Sequence, residues 1–138
     1  MPRIKHIGIS TNDPGICADF YINAFGLTEV ERDPENEFAV LSDGYINMTI
    51  LKFKYDRYGG GSPGLHHFGV QVEDLDQTQQ IIQDEGGTEL TSWNETYGNS
   101  EGTPDNWVGE KKFMSPEGIA IDVNPSGWKT RPGGKRGE

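Results

Sequence analysis

The sequence carries one polar-ended segment twice. HIGISTND occupies residues 6–13 and HFGVQVED occupies residues 67–74, so the two copies lie 61 residues apart. Each copy begins with histidine, has glycine two positions later and ends with aspartate seven positions after the histidine. Such a repeat indicates that one supersecondary unit is present twice. It predicts two half-domains of similar structure within the 138 residues.

Apolar and polar residues alternate in both copies, which is typical of a strand with one buried face. Ile7 and Ile9 are predicted to form the buried face of the first strand. His6 is predicted to lie on the opposite face with Gly8 and Ser10. His67 takes the equivalent place in the second copy, opposite Phe68, Val70 and Val72. The two histidines therefore occupy matched positions on matched strands.

A helix and three strands are predicted after each repeated strand. Asp13 and Asp74 are suited to cap a helix, and Gly26 and Gly87 to end one. The strand-like runs that follow are 27–32, 38–41 and 46–53 in the first half, and 88–93, 111–114 and 119–123 in the second. The predicted fold class is α+β, with two βαβββ modules over residues 3–56 and 64–124 in one domain, 1–124.

Two segments lie outside this symmetry. Residues 94–109 form a polar insertion that contains Tyr97 and Trp107, and they fit either a lid over a pocket or a mobile loop. Residues 125–138 form a C-terminal tail rich in glycine, proline and basic residues. We expect its far end to be disordered and Trp128 to be able to dock.

Charge and cysteine content limit the partners and the compartment. The net charge is −10, and without residues 128–138 eight basic and 21 acidic residues remain, a net charge near −13. A domain with this negative charge repels nucleic acid and anionic membranes, so we expect neither of them as a partner. We expect the partner to be a small molecule. The single cysteine, Cys17, excludes an internal disulfide, and without a signal-like or membrane-spanning stretch a cytoplasmic location is expected.

The matched histidines suggest a metal site with a third donor on the last strand. Asp122 lies on the face opposite Ile119, Ile121 and Val123. Counted from the hairpin glycine, its equivalent in the first half is Met48, whose thioether is a poor ligand for a hard ion, unless the register shifts to Asn47 or Thr49. Two histidines and one carboxylate leave positions for water, substrate or O₂, as in non-haem Fe(II) oxygenases.

Four segments together, KHIGIS, DPGICADFYINAFGL, LHHFGVQVEDL and SPEGIAIDV, resemble the vicinal oxygen chelate superfamily over residues 3 to about 124. That superfamily includes glyoxalase I, methylmalonyl-CoA epimerase, type I extradiol dioxygenases, and bleomycin and fosfomycin resistance proteins. The resemblance implies cupped mixed β-sheets around an open cavity, a divalent metal on His6, His67 and Asp122, and a homodimer. Fe(II) is preferred, with Mn, Ni, Co and Zn as alternatives. Asp122 stands where the superfamily usually has Glu, and Met48 where some members have a ligating Glu or Gln.

The expected function is that of a metal-dependent enzyme whose substrate chelates the ion through vicinal oxygens. Dioxygenase-type chemistry is preferred over lyase or isomerase chemistry, and no catalytic residue is assigned. The candidate substrate-binding residues are Met48, Thr49, Gln71, Trp107 and Phe113. One alternative is a non-catalytic protein that sequesters a small molecule or drug, as bleomycin resistance proteins do; another is a fold kept for assembly or regulation, with no ligand.

Each candidate ligand also has a plainer interpretation. His6 and His67 could be half-buried strand residues with satisfied hydrogen bonds, and Asp122 could face solvent. His66 is expected to point away from His67, because one step along a strand reverses the side-chain direction. Glu117 is expected to serve its hairpin turn.

Overall fold

The computed structural model describes residues 1–53, 62–91 and 110–138. These residues contain two helices and eight strands that run βαβββ twice, which confirms the predicted α+β class. The first module consists of β1 (Arg3–Thr11), α1 (Pro14–Phe25), β2 (Thr28–Arg32), β3 (Phe38–Ser42) and β4 (Asn47–Lys52). The second consists of β5 (Gly64–Gln71), α2 (Leu75–Asp84), β6 (Thr88–Glu89), β7 (Lys111–Met114) and β8 (Ala120–Asn124). The predicted insertion 94–109 lies outside the described residues.

Residues Lys5–His67 form one compact unit together with Trp128–Glu138. Its strands lie in the order β2-β3-β4-β1, with β1 parallel to β4 and the other pairs antiparallel. In the parallel pair His6 lies opposite Asn47, and Ile7 lies opposite Met48. This register determines which residues of β4 share a face with His6.

Helix α1 begins and ends as the sequence predicts. The Asp13 carboxylate accepts from the Ile16 amide, and Gly26 follows the helix in the left-handed conformation with φ 68°. Hydrogen bonds from the Asn36 side chain and the Ile16 amide lower the pKa of Asp13. The helix covers an apolar cluster, since Ala18 is buried there with Ile9, Ala39, Leu41 and Ile50.

Residues Met1–Ile4 and Phe68–Gly127 form the other compact unit. Its strands lie in the order β5-β8-β7-β6, and both β6–β7 and β7–β8 are antiparallel. Asp74 caps α2 by accepting from the Gln77 amide. The core of this unit is smaller and contains Val72, Phe113 and Val123. Neither helix of the described residues is long and apolar enough to cross a bilayer.

The C-terminal tail makes specific contacts. Trp128 is buried, with 5% of its surface exposed. The Gly137 amide donates to the Trp128 carbonyl at 3.3 Å, and Arg131 forms an ion pair with Glu138 at 2.8 Å. The far end, predicted to be disordered, is thus linked back to the start of the tail.

We expect Leu41→Ala to lower the free energy of unfolding by about 2–5 kcal/mol, because it leaves a cavity in a cluster where Leu41 is fully buried. Chemical denaturation followed by circular dichroism measures the change. Leu65→Ala is the matched control, since Leu65 is 84% exposed and its truncation should alter stability by less than about 0.5 kcal/mol. Equal losses in both variants would contradict this account of the core.

Candidate functional site

His6 and His67 meet through their imidazole rings. Their Nε2 atoms lie 2.9 Å apart, and the ring centroids are 5.0 Å apart with 40° between the ring planes. Both side chains are buried, His6 at 3% and His67 at 8% exposure. The structure therefore brings together the two residues that the repeat pairs.

The distance between these nitrogens fits two kinds of contact. A neutral imidazole N–H that donates to the lone pair of another imidazole gives such a separation. Two nitrogens bound at about 2.1 Å to one ion, at a right angle, lie about 3.0 Å apart. The 2.9 Å separation therefore agrees with a hydrogen bond and also with two ligands of one ion at a right angle.

Asn47 is a hydrogen-bond partner of Nδ1 of His6. Its Oδ1 lies 2.7 Å from His6 Nδ1, and it also accepts from Thr49 Oγ1 at 2.8 Å. Its Nδ2 donates to the Lys129 carbonyl at 2.7 Å. Asn47 is 3% exposed. Of the register alternatives on β4, the residues that lie on the His6 side are therefore Asn47 and Thr49.

Trp128 packs against the face of the same imidazole. The rings of His6 and Trp128 are stacked, with centroids 4.8 Å apart and 5° between their planes. The sequence identifies Trp128 as a residue able to dock, but gives no indication that its partner is His6. The C-terminal tail thus forms part of the surroundings of this histidine.

Gly8 provides the space for the ring of His67. A Cβ atom built on Gly8 would lie 2.1 Å from Cε1 of His67, far inside van der Waals contact. A glycine within a strand often marks such a close approach. The glycine that follows the histidine by two positions is therefore a steric requirement of the histidine pair.

His66 lies closer to the site than predicted. Its Nδ1 is 2.8 Å from Nδ1 of His67, and the two rings meet edge to face at 86°. The prediction that His66 points away from His67 is wrong. Consecutive Cβ atoms do diverge along a strand, but an imidazole is long enough to turn back toward its neighbour.

Asp122 is buried within the unit of the second module. It is 2% exposed, so the alternative that it faces solvent is wrong. Lys112 lies directly opposite on the β7–β8 ladder, with Nζ 2.5 Å from Asp122 Oδ1 and 3.7 Å from Glu110 Oε2. The Asn124 amide donates to Glu110 at 3.4 Å. Lys112 and Glu110 were not predicted from the sequence. The available signal was the β7–β8 pairing, which places Lys112 opposite Asp122 and on the same face of the sheet.

The candidate substrate-binding residues have different surroundings. Met48 packs against the apolar cluster beside Ile7, and Phe113 is fully buried in the second cluster. In β4, the register places Met48 beside Ile7 rather than His6. Thr49 bonds Asn47, and Gln71 Nε2 donates to the Pro125 carbonyl at 3.5 Å. Trp107 lies outside the described residues.

A doubled βαβββ module, with a buried histidine on the first strand of each copy, defines the class of this protein. The chain belongs to the glyoxalase/bleomycin resistance protein/dioxygenase superfamily, whose sequence model matches residues 3–123. The predicted family is therefore confirmed. A comparison with curated proteins found no match.

Solved structures show the same fold at low sequence identity. A methylmalonyl-CoA epimerase from Streptomyces coelicolor is 23% identical with a TM-score of 0.59, and the match covers 88% of this chain and 92% of the epimerase. A hypothetical protein from Bacillus halodurans C-125 is 18% identical with a TM-score of 0.62, over 88% and 92% of the two chains. The 2,3-dioxygenase LapB from Pseudomonas sp. KL28 is 19% identical with a TM-score of 0.62, over 88% of this chain and 40% of LapB. These likenesses support the fold.

We expect Gly8→Ala to destabilise the protein by about 1–3 kcal/mol, because the added methyl group collides with the His67 ring. The double variant Gly8→Ala/His67→Ala removes that collision. In a double-mutant cycle measured by denaturation, the Gly8→Ala cost should be smaller by about 0.5–3 kcal/mol when His67 is absent. An identical cost in both backgrounds would show that the glycine serves another purpose.

Proposed function

We propose that this protein is a metal-dependent enzyme whose divalent cation is held by His6, His67 and Asp122. The observation that carries the proposal is the pair of buried imidazoles with their Nε2 atoms 2.9 Å apart. Imidazole nitrogens suit Fe, Ni and Zn, Mn and Co are alternatives, and we favour Fe(II). The register of β4 adds support, because it places the Asn47 amide in hydrogen-bond contact with Nδ1 of His6.

Asp122 is proposed as the third ligand because of its place on the closing hairpin, which resembles the metal-binding hairpin of the superfamily. Its almost complete burial supports this role, since a buried carboxylate needs a compensating positive charge. Lys112 already supplies one such charge through Asp122 Oδ1. A monodentate carboxylate ligand uses its other oxygen, so the ion pair with Lys112 and metal binding are compatible.

The substrate is proposed to be a small molecule with two adjacent oxygens. When bound, the metal would supply Lewis acidity and a template for those oxygens. The chain itself holds two imidazoles in fixed orientations and keeps them from water. The proposed substrate-binding residues are Met48, Thr49, Gln71, Trp107 and Phe113.

Dioxygenase-type chemistry is preferred over lyase or isomerase chemistry. Isomerisation needs a base that moves a proton, and such a base works within hydrogen-bond reach of its proton. The β4 residue beside His6 is an amide, Asn47, which cannot take up a proton, and Met48 packs among apolar residues. This local chemistry favours a reaction that depends on the metal more than on a second carboxylate.

Metal binding is the first test. In titration calorimetry with Mn, Co, Ni or Zn, and anaerobically with Fe(II), we expect near-stoichiometric binding by the wild type. Loss of a residue that only hydrogen-bonds a metal ligand weakens metal binding about 10–100-fold. His6→Ala, His67→Ala and Asp122→Ala should each weaken it by more than that. Asp84→Ala, on the exposed surface of α2, is the control. Full affinity in Asp122→Ala would remove that residue from the ligand set.

Oxygen uptake separates the two reaction types. Protein reconstituted anaerobically with Fe(II) should consume O₂ when a catechol from a panel of substituted catechols is added. His67→Ala, loaded in the same way, should not. The opposite result is no O₂ uptake with any catechol, together with epimerisation or isomerisation of a substrate at the carbon next to its carbonyl group. In that case the lyase or isomerase assignment replaces the dioxygenase assignment.

Sequestration of a small molecule is the second candidate function. The net charge near −13 of the chain without residues 128–138 favours a cationic ligand. The histidine pair also satisfies its own hydrogen bonds without an ion. A melting temperature that is unchanged by every metal but raised by bleomycin would support this candidate over the enzyme.

The proposal includes a homodimer in the cytoplasm. A single free cysteine suits a reducing compartment, and dimers are frequent in the superfamily that the sequence resembles. Light scattering coupled to size-exclusion chromatography measures the mass in solution. One chain has a mass of 15.3 kDa, and we expect twice that value.

A further inference from the structure

We propose that Asn47 and the tail segment Trp128–Lys129 are positioning residues that hold His6 in one tautomer, with hydrogen on Nδ1 and a lone pair on Nε2. This deepens the proposed function, because a metal bound at Nε2 would use that lone pair. The tautomer itself follows from contacts within one compact unit.

The orientation of the Asn47 amide is fixed by the Lys129 carbonyl, and the Thr49 hydroxyl agrees with it. The Lys129 carbonyl can only accept, so the atom 2.7 Å from it is the NH₂ group of Asn47. Thr49 Oγ1 lies 2.8 Å from the other end of the amide and donates to it. The amide oxygen, not the nitrogen, therefore faces His6.

The amide orientation determines the hydrogen position on His6. Oδ1 of Asn47 can only accept, so the ring nitrogen 2.7 Å from it, Nδ1, carries the hydrogen. A neutral imidazole has one N–H, so Nε2 of His6 has a lone pair, and the hydrogen in the 2.9 Å contact comes from His67. A histidine that binds metal through Nε2 commonly donates its other N–H to a fixed acceptor.

The tail contributes twice to this arrangement. The Lys129 backbone holds the Asn47 amide, and the Trp128 ring lies parallel to the imidazole at 4.8 Å. The amide fixes the direction of the Nδ1–H bond, and the indole fixes the plane of the ring. Because Trp128 and Asn47 are 5% and 3% exposed, water does not compete for either contact.

Nuclear magnetic resonance of the metal-free protein tests the tautomer directly. Long-range ¹H–¹⁵N correlation of the histidine rings identifies the protonated nitrogen, and His6→Gln assigns the signals of His6. We expect hydrogen on Nδ1 in the wild type and in Asn47→Asp, which keeps the acceptor. In Asn47→Leu the Nε2–H form should appear. A wild-type His6 with hydrogen on Nε2 would overturn the proposal without any reference to metal.

Metal affinity supplies the second measurement. Asn47→Leu and Trp128→Leu should bind Ni or Zn about 10–100-fold more weakly than the wild type. Asn23→Leu, a substitution of the same kind on the exposed side of α1, should leave the affinity unchanged. Circular dichroism confirms that each variant is folded. If Asn47→Leu does not fold, Trp128→Leu and the wild-type tautomer still decide the question.

The two proposals fail in different ways. If the wild type shows hydrogen on Nδ1 of His6 but binds no metal, the proposed function is lost and the positioning of His6 stands. If the wild type binds metal, and Asn47→Leu binds it equally well with an unchanged tautomer, the positioning is lost and the metal site stands.

Discussion

The contact between the buried imidazoles of His6 and His67 is the interaction on which the surrounding structure depends. Burial of two polar rings is costly unless each nitrogen has a partner. The neighbouring residues provide those partners and the necessary space: Gly8 leaves room for one ring, Asn47 accepts from the other, and Trp128 covers it. Glycine, amide and indole come from distant parts of the sequence, yet each has a direct steric or hydrogen-bonding relation to the same pair.

The repeat predicts the fold and the histidine pair because it combines two regularities, the two-residue alternation within a strand and the 61-residue spacing between the copies. Alternation places each histidine on the polar face of a strand, and the 61-residue spacing gives both strands the same role. The order of helices and strands follows from caps, glycines and hairpin turns. Asp122 comes from the same alternation, and the residue is buried.

The residues that sequence reasoning missed depend on register and on the path of the tail. A shift of one position on β4 exchanges Met48 for Asn47, and alternation alone does not determine which of them lies beside His6. Lys112 becomes a partner of Asp122 only through the β7–β8 pairing. Trp128 reaches His6 because the chain after β8 returns to the first module's unit, which no local pattern of the sequence encodes.

The support that the tail gives to Asn47 has a consequence for the evolution of this chain. The acceptor at position 129 is a main-chain oxygen, so the hydrogen bond to Asn47 does not require a particular side chain there. Selection would instead act on the path of the polypeptide after Gly127 and on the indole beside it. A homologue with an unrelated residue at 129 could keep the same support, whereas one that ends a few residues earlier would have to orient its first histidine by other means.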